Sequence, residues 1–312
     1  MRAHAPIAAI ALVLSACTAA PTTSASTQPT SGAERVPPTP PRSVLPEARR
    51  ALMRFDMRRI RSTPLAAELA PLFSRSPVAR RFIGGSGLDP IRDLELLVVA
   101  STDVHWRGPL AVGSHWTFLM RHSLDRDVAR ERLARVAAGA PLVFREHQGL
   151  PAAELPDTGG DVPHSIVLVD DHDAVIAPSD DVPRVLDAAR DQRAHDPTGA
   201  RELDPAYARE PAELVLVEGV EIAAYRGLPE TRALSLRALS MADGSGARVV
   251  GTLSYASAAD AAQASRTIVG LALVLGARAS GISADGAVVH VDVPLSWAVV
   301  HAIVALVLTS SA

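Results

Sequence analysis

Ala247-Arg248-Val249-Val250-Gly251-Thr252-Leu253-Ser254-Tyr255, with Ser257 and Asp260 behind it, is the stretch whose reading decides the fold. Its β-branched and aromatic side chains with interspersed polar ones predict a strand over 247–255. Ser257 then stands where a helix needs an N-cap, and Asp260, three residues on, completes a capping-box-like pattern. Ala264, Ile268, Leu271 and Leu275 follow at helical spacing and share one face. The same succession occurs earlier in the chain. Trp116 to Arg121 reads as a strand, Ser123 as a helix start, and Ala129, Leu133 and Val136 as the apolar face of the helix.

Both units also end alike. Ala174 to Ala177 leads into Asp181-Val182-Pro183, and Ala287 to Val291 into Asp292-Val293-Pro294, with Asp then Pro suited to a first helical turn. Further strands are expected at Leu52 to Asp56, Leu94 to Ala100, Pro141 to Glu146, Ser165 to Asp170, Glu213 to Glu218 and Ala233 to Ser240. Thr63 and Pro64 start a helix that Pro71 should end or kink. Strand, helix, strand, strand, helix, strand is the ferredoxin-like order. The expected class is therefore α+β, as two tandem ferredoxin-like modules with antiparallel sheets covered by helices, over residues 48–200 and 201–312. Such a duplication is expected to be divergent.

Upstream of the modules, Leu14-Ser15-Ala16-Cys17 closes a short segment with Arg2 at its start and an apolar run from Ala5 to Leu14. That run is too short to span a bilayer. Leu, small, small, Cys resembles the lipobox of bacterial lipoproteins at all four positions. The resemblance implies removal of residues 1–16, diacylation of Cys17 and attachment to the membrane; Thr18 in place of Asp implies the outer membrane. Two or three acyl chains hold firmly where one binds reversibly. The plain alternative is an ordinary secretory peptide with an incidental cysteine. From 17 to 47 the chain is rich in Pro, Ser, Thr and Ala and reads as a disordered tether, facing the periplasm or the cell surface. Gly87-Leu88-Asp89-Pro90-Ile91-Arg92-Asp93 and Ile60-Arg61-Ser62-Thr63-Pro64 resemble uncharacterised lipoproteins of myxobacteria and related deltaproteobacteria, a family that brings no established activity.

Composition excludes more than it assigns. Every one of the 31 basic residues is Arg, since the chain has no Lys and no Asn, which a GC-rich genome explains. A net charge of -3 leaves no basic field for nucleic acid. Without Lys there is no Walker loop, no Ser-x-x-Lys site and no Schiff base. With the single Cys spoken for, neither a disulfide nor a thiol redox centre can form. His-Glu-x-x-His and Gly-x-Ser-x-Gly are absent, and Gly84-Gly85-Ser86-Gly87 has the wrong spacing for a nucleophile elbow. No cofactor is expected.

Two polar clusters and one apolar run remain as candidates. Asp171, His172 and Asp173, with His164 upstream, could ligate a divalent cation, although a polar hairpin turn explains the same residues. His105-Trp106 and His115-Trp116 could form an aromatic ligand-binding rim or simply pack an edge. Leu295 to Leu308, with Trp297 and His301, reads as a core helix rather than a membrane contact. The expectation is a lipid-anchored envelope protein that binds or scaffolds without catalysis, partnered by an envelope protein or a small ligand. The alternative is a periplasmic hydrolase, which a cleft joining His115, His122 or His147 to an acid and a serine would favour.

Overall fold

The computed structural model describes residues 43–75, 86–103, 105–107, 110–112, 115–135, 141–155, 162–195, 213–222, 224, 227–274 and 276–301. Cys17 and the segment 1–42 lie outside them, as do Gly84, Gly85, Val136, Leu275 and 302–312.

In chain order the first part contains β1 (Ala51–Asp56), α1 (Met57–Ile60), α2 (Leu65–Arg75), α3 (Pro90–Asp93), β2 (Leu94–Ser101), β3 (His105–Arg107), β4 (Leu110–Val112), β5 (Trp116–His122) and α4 (Arg126–Ala134). It continues through β6 (Arg145–His147), β7 (Leu150–Glu154), β8 (His164–Leu168), β9 (Asp173–Pro178) and α5 (Val182–His195). The second part contains β10 (Glu213–Ile222), β11 (Thr231–Ser240), β12 (Gly246–Tyr255), α6 (Ala258–Val274), β13 (Ile282–Asp285) and β14 (Val288–Ser296).

All of these strands belong to one 14-stranded sheet, in the order β13-β14-β12-β11-β10-β1-β2-β5-β9-β8-β7-β6, with the β3–β4 hairpin off that path. Pairing along the path is antiparallel; only β3 meets β10 in parallel, at Trp106 and Ile222. The α+β class and the antiparallel pairing thus agree with the sequence. The two expected modules are instead halves of one continuous sheet, joined where β1 pairs with β10. Each half also departs from ferredoxin-like interleaving. In each half three strands of the path are neighbours in order, β1-β2-β5 and β10-β11-β12; the connection through α6 then skips one strand, β14, and that through α4 skips three, β9, β8 and β7.

Burial along the strands reveals the layers. Every residue of β1 and of β9 is buried, because helices cover both faces of the sheet there. On one face Leu65 and Leu69 of α2, Leu133 of α4, and Ala261, Ala264, Ile268 and Ala272 of α6 join a core that runs across both halves. The opposite face is covered by Val185, Leu186, Ala188 and Ala189 of α5, together with Val44 and Leu45, over the first half. In β14 burial instead alternates residue by residue, which fits a strand covered on one face.

Several local expectations hold and others change. Ser257 accepts from the Asp260 backbone N–H at 3.1 Å and donates to its carboxylate at 2.7 Å. Asp125, not Ser123, caps α4, accepting from the N–H of Asp127. Asp89 caps α3, whose Asp93 receives Arg132 of α4 at 2.7 Å. The helix begun at Leu65 continues through Pro71 to Arg75 rather than ending there.

The matched tripeptides part company. Asp181-Val182-Pro183 does open α5, whereas Asp292-Val293-Pro294 lies inside β14. Val293 is buried in the core, Asp292 pairs with Arg248 across the ladder, and Pro294 falls past the 288–291 stretch that β13 covers, so its missing N–H costs no bond on that side. Helix begins only at Trp297, with Val300 buried and the Trp297 indole N–H donating to the Gly244 carbonyl at 2.9 Å. The body also starts earlier than the expected tether boundary at 47. Val44 and Leu45 are buried, and Arg184 donates to the carbonyls of Ser43, Val44 and Leu45 at 3.1 to 3.2 Å.

Candidate functional site

The residues read as a metal set do not converge. Asp170 to Asp173 form the tight β8–β9 turn, in which the Asp170 carboxylate accepts from the N–H groups of His172 and Asp173, both at 2.8 Å. His164 is at the far end of β8, opposite Pro178. Six residues of strand put it about 20 Å away. Asp173 is held by both ends of the Arg121 guanidinium at 2.9 Å, and Asp171 pairs with Arg126 at 3.2 Å. Burial pushes the Asp173 carboxyl up, and the Arg121 contact offsets part of that push. No group of three His, Cys, Asp or Glu suited to a metal occurs among the described residues.

What does gather at this turn is a pair of imidazoles. The rings of His122 and His172 stand 6.0 Å apart. His122 Nδ1 is buried without a hydrogen-bond partner, and burial, reinforced by the charge of His172, lowers its pKa. His122 borders a cavity of about 50 Å3 with Arg126, Arg130, Asp170 and Asp171. That volume suits ordered water better than a ligand.

The aromatic rim does not assemble either. His105 and Trp106 lie on β3 beside β10, while His115 and Trp116 stand at the start of β5, beyond β1 and β2 in the sheet. Trp116 is itself a core side chain. His115 does meet an acid and a serine: its ring Nδ1 lies 3.1 Å from one oxygen of Asp103, whose other oxygen accepts from Ser101 Oγ at 3.0 Å. The order is wrong for a triad. A general base must stand between the serine and the acid, whereas here the acid stands between the other two, and Ser101 is fully buried.

Among the described residues a larger concave site lies elsewhere, where the sequence named no ligand site. A groove of about 570 Å3 runs over the face of the sheet that α5 covers, where β7 and β6 extend past the helix. Its helix side is Val182, Pro183 and Leu186; Ala152, Glu154 and Ser165 are its floor, with Ser179 beside them; Arg145 and His147 come from the exposed edge strand. Ladder register explains this convergence. Arg145 is opposite Ala152, His147 opposite Leu150 and Glu154 opposite Ser165, so alternation brings all of these side chains to one face. Ser165 and Ser179 join their hydroxyls at 2.8 Å. A two-residue turn at Gln148 and Gly149, both with positive φ, folds β6 back on β7 and so sets the outer lip. The volume lies in the range of small-molecule sites. His147, one of the three histidines named for a cleft with an acid and a serine, does share this groove with Glu154, Ser165 and Ser179, but it is hydrogen-bonded to none of them, and the two serines bond each other.

No protein-family model and no curated protein matches the chain. Among solved structures, crystal form I of TP0453 resembles it with a TM-score of 0.46 and 10% identity, over 87% of this chain and 98% of that one. No helix among the described residues is long and apolar enough to cross a membrane.

Proposed function

We propose that the protein is a lipid-anchored envelope lipoprotein whose body binds a small ligand without catalysis, in the groove between α5 and the β6–β7 hairpin. The observation that carries the binding part is the groove itself, a concave site with an apolar helix wall and a few polar groups brought together by strand register. Binding is favoured over hydrolysis because neither histidine site is ordered as a triad: the carboxylate stands in the middle of His115, Asp103 and Ser101, and in the groove Ser165 and Ser179 bond each other and not His147. Leu14-Ser15-Ala16-Cys17 supports removal of residues 1–16, acylation of Cys17 and, with Thr18, an outer-membrane location. On this reading the tether ends no later than Ser43, whose carbonyl Arg184 already holds to the body. In each half three strands and a helix are followed by a closing hairpin, β8–β9 or β13–β14, whose last strand pairs with the third strand; this shared part supports a divergent duplication in which β6 and β7 are additional to the first half.

One experiment addresses both parts of this reading. The full chain and its Cys17→Ser and Ala152→Trp variants are fractionated, and each is then screened against a small-fragment collection by thermal shift. Cys17→Ser should leave the membrane fraction and keep its fragment hits. Ala152→Trp should stay anchored and lose them, because the indole fills the groove; ligand at 100 times its Kd adds about 2.7 kcal/mol of stability, a readable shift. Retention of Cys17→Ser in salt-washed membranes contradicts the anchor, and unchanged hits in Ala152→Trp contradict the groove.

A further inference from the structure

The groove is charged in opposite senses at its two ends, and this restricts what fits. Arg145 and His147, two residues apart on one face of β6, form one end. Glu154 borders the other, over Ser165. Arg145 stands directly opposite Ala152, Glu154 lies two residues further along β7, and Val182 and Leu186 of α5 line the same groove. Arg145 and Glu154 are diagonal neighbours across the β6–β7 ladder, a relation that separates backbones by about 7 to 8 Å. They form no ion pair with each other in the structure, although both border the same groove, so each presents its charge there.

A simple anion would use Arg145 but be repelled by Glu154, and a simple cation would meet the reverse. An uncharged apolar ligand would leave both charges to be desolvated without compensation. A ligand with an acid at one end, an ammonium at the other and an apolar stretch between satisfies all three parts of the site. Two residues of extended chain span about 7 Å, which matches the diagonal. On the reading that the groove is a ligand site, we propose that its ligands are short zwitterionic peptides of apolar side chains, the carboxylate on Arg145 and the ammonium on Glu154.

The test uses the full chain and the dipeptide alanyl-leucine, with its N-acetyl and C-amide derivatives, in calorimetric titration. Free alanyl-leucine should bind, and blocking either terminus should weaken it by about fivefold or more. Glu154→Gln should remove the penalty for acetylation alone, and Arg145→Gln the penalty for amidation alone. Both residues are exposed at the end of a short hairpin, so melting curves of the two variants should match that of the parent. Equal affinity for free and blocked dipeptides, or no heat at millimolar dipeptide while fragments sensitive to Ala152→Trp still bind, overturns the zwitterion and leaves the groove standing. If neither dipeptide nor fragments respond to Ala152→Trp, the groove reading fails with it.

Discussion

At the scale of single residues, burial of weakly basic groups makes stability depend on pH. His122 and His164 are both buried, and burial is the main cause that lowers each pKa; the Val162 and Trp116 backbone groups only partly restore that of His164. An unfolded histidine takes up a proton near pH 6.5. Between that value and the lower folded one, the unfolded chain binds more protons, so stability falls as pH drops through this window and is fully present above it. Asp173, held above the ordinary carboxyl value, acts in the opposite sense: it loses its contribution as pH rises through its folded pKa. Urea midpoints should therefore fall from pH 7.5 to pH 5.5, and the double variant His122→Gln, His164→Gln should flatten that slope. An unchanged slope in the double variant would assign the proton uptake to other groups. These histidines also show why the sites were poorly legible. A sequence displays residue types, but whether His164 faces a metal or a core depends on which end of the β8–β9 hairpin it occupies.

At the scale of elements, two glycines mark where chain segments approach too closely for a side chain. A Cβ on Gly246 would overlap the Leu295 carbonyl, and one on Gly281 the carbonyl of Asp292. Both obstacles are backbone of β14, which cannot turn aside as the end of a flexible side chain could. Gly246→Ala and Gly281→Ala should each lower the melting temperature by several degrees by forcing β14 from its neighbours, whereas Gly270→Ala, with open space around it on α6, should be neutral or slightly stabilising. Equal melting temperatures for all three would show that β14 yields freely. Strands with dense β-branched and apolar residues, such as β2, β5 and β12, were readable to within a few residues. β7 and β13 were not: Leu150-Pro151-Ala152-Ala153-Glu154 and Ile282-Ser283-Ala284-Asp285 have weak intrinsic preference for strand and owe it to their ladder partners. Asp-Val-Pro misled for the same reason, since tertiary pairing with β12 overrides local helix-start chemistry at 292–294.

At the scale of the molecule, the seam between the halves determines whether either can exist alone. The α+β class and the recurrence of strand-to-helix units could be seen in the sequence; that the units fuse edge to edge could not, because no local pattern records which edge strand finds which. β1 pairs with β10 over Ala51 to Phe55, and the buried Arg54 reaches Glu213 across the joint at 3.0 Å. Separating the halves would strip one full ladder from β1 and from β10, take Glu213 away from the buried Arg54, and divide the apolar layer that includes both Met53 and Val217. Breaking a buried ion pair by removing one partner costs about 3 to 5 kcal/mol, a large fraction of the 5 to 15 kcal/mol that holds a typical domain. An open, largely apolar edge strand also invites pairing with other chains. Residues 43–195 or 213–301 produced alone should therefore aggregate or self-associate, whereas the two produced together should assemble into a soluble one-to-one complex. Size-exclusion chromatography with light scattering distinguishes these outcomes. Two separately soluble monomers, each unfolding cooperatively, would mean that the β1–β10 seam is a contact between independent domains and not part of one core.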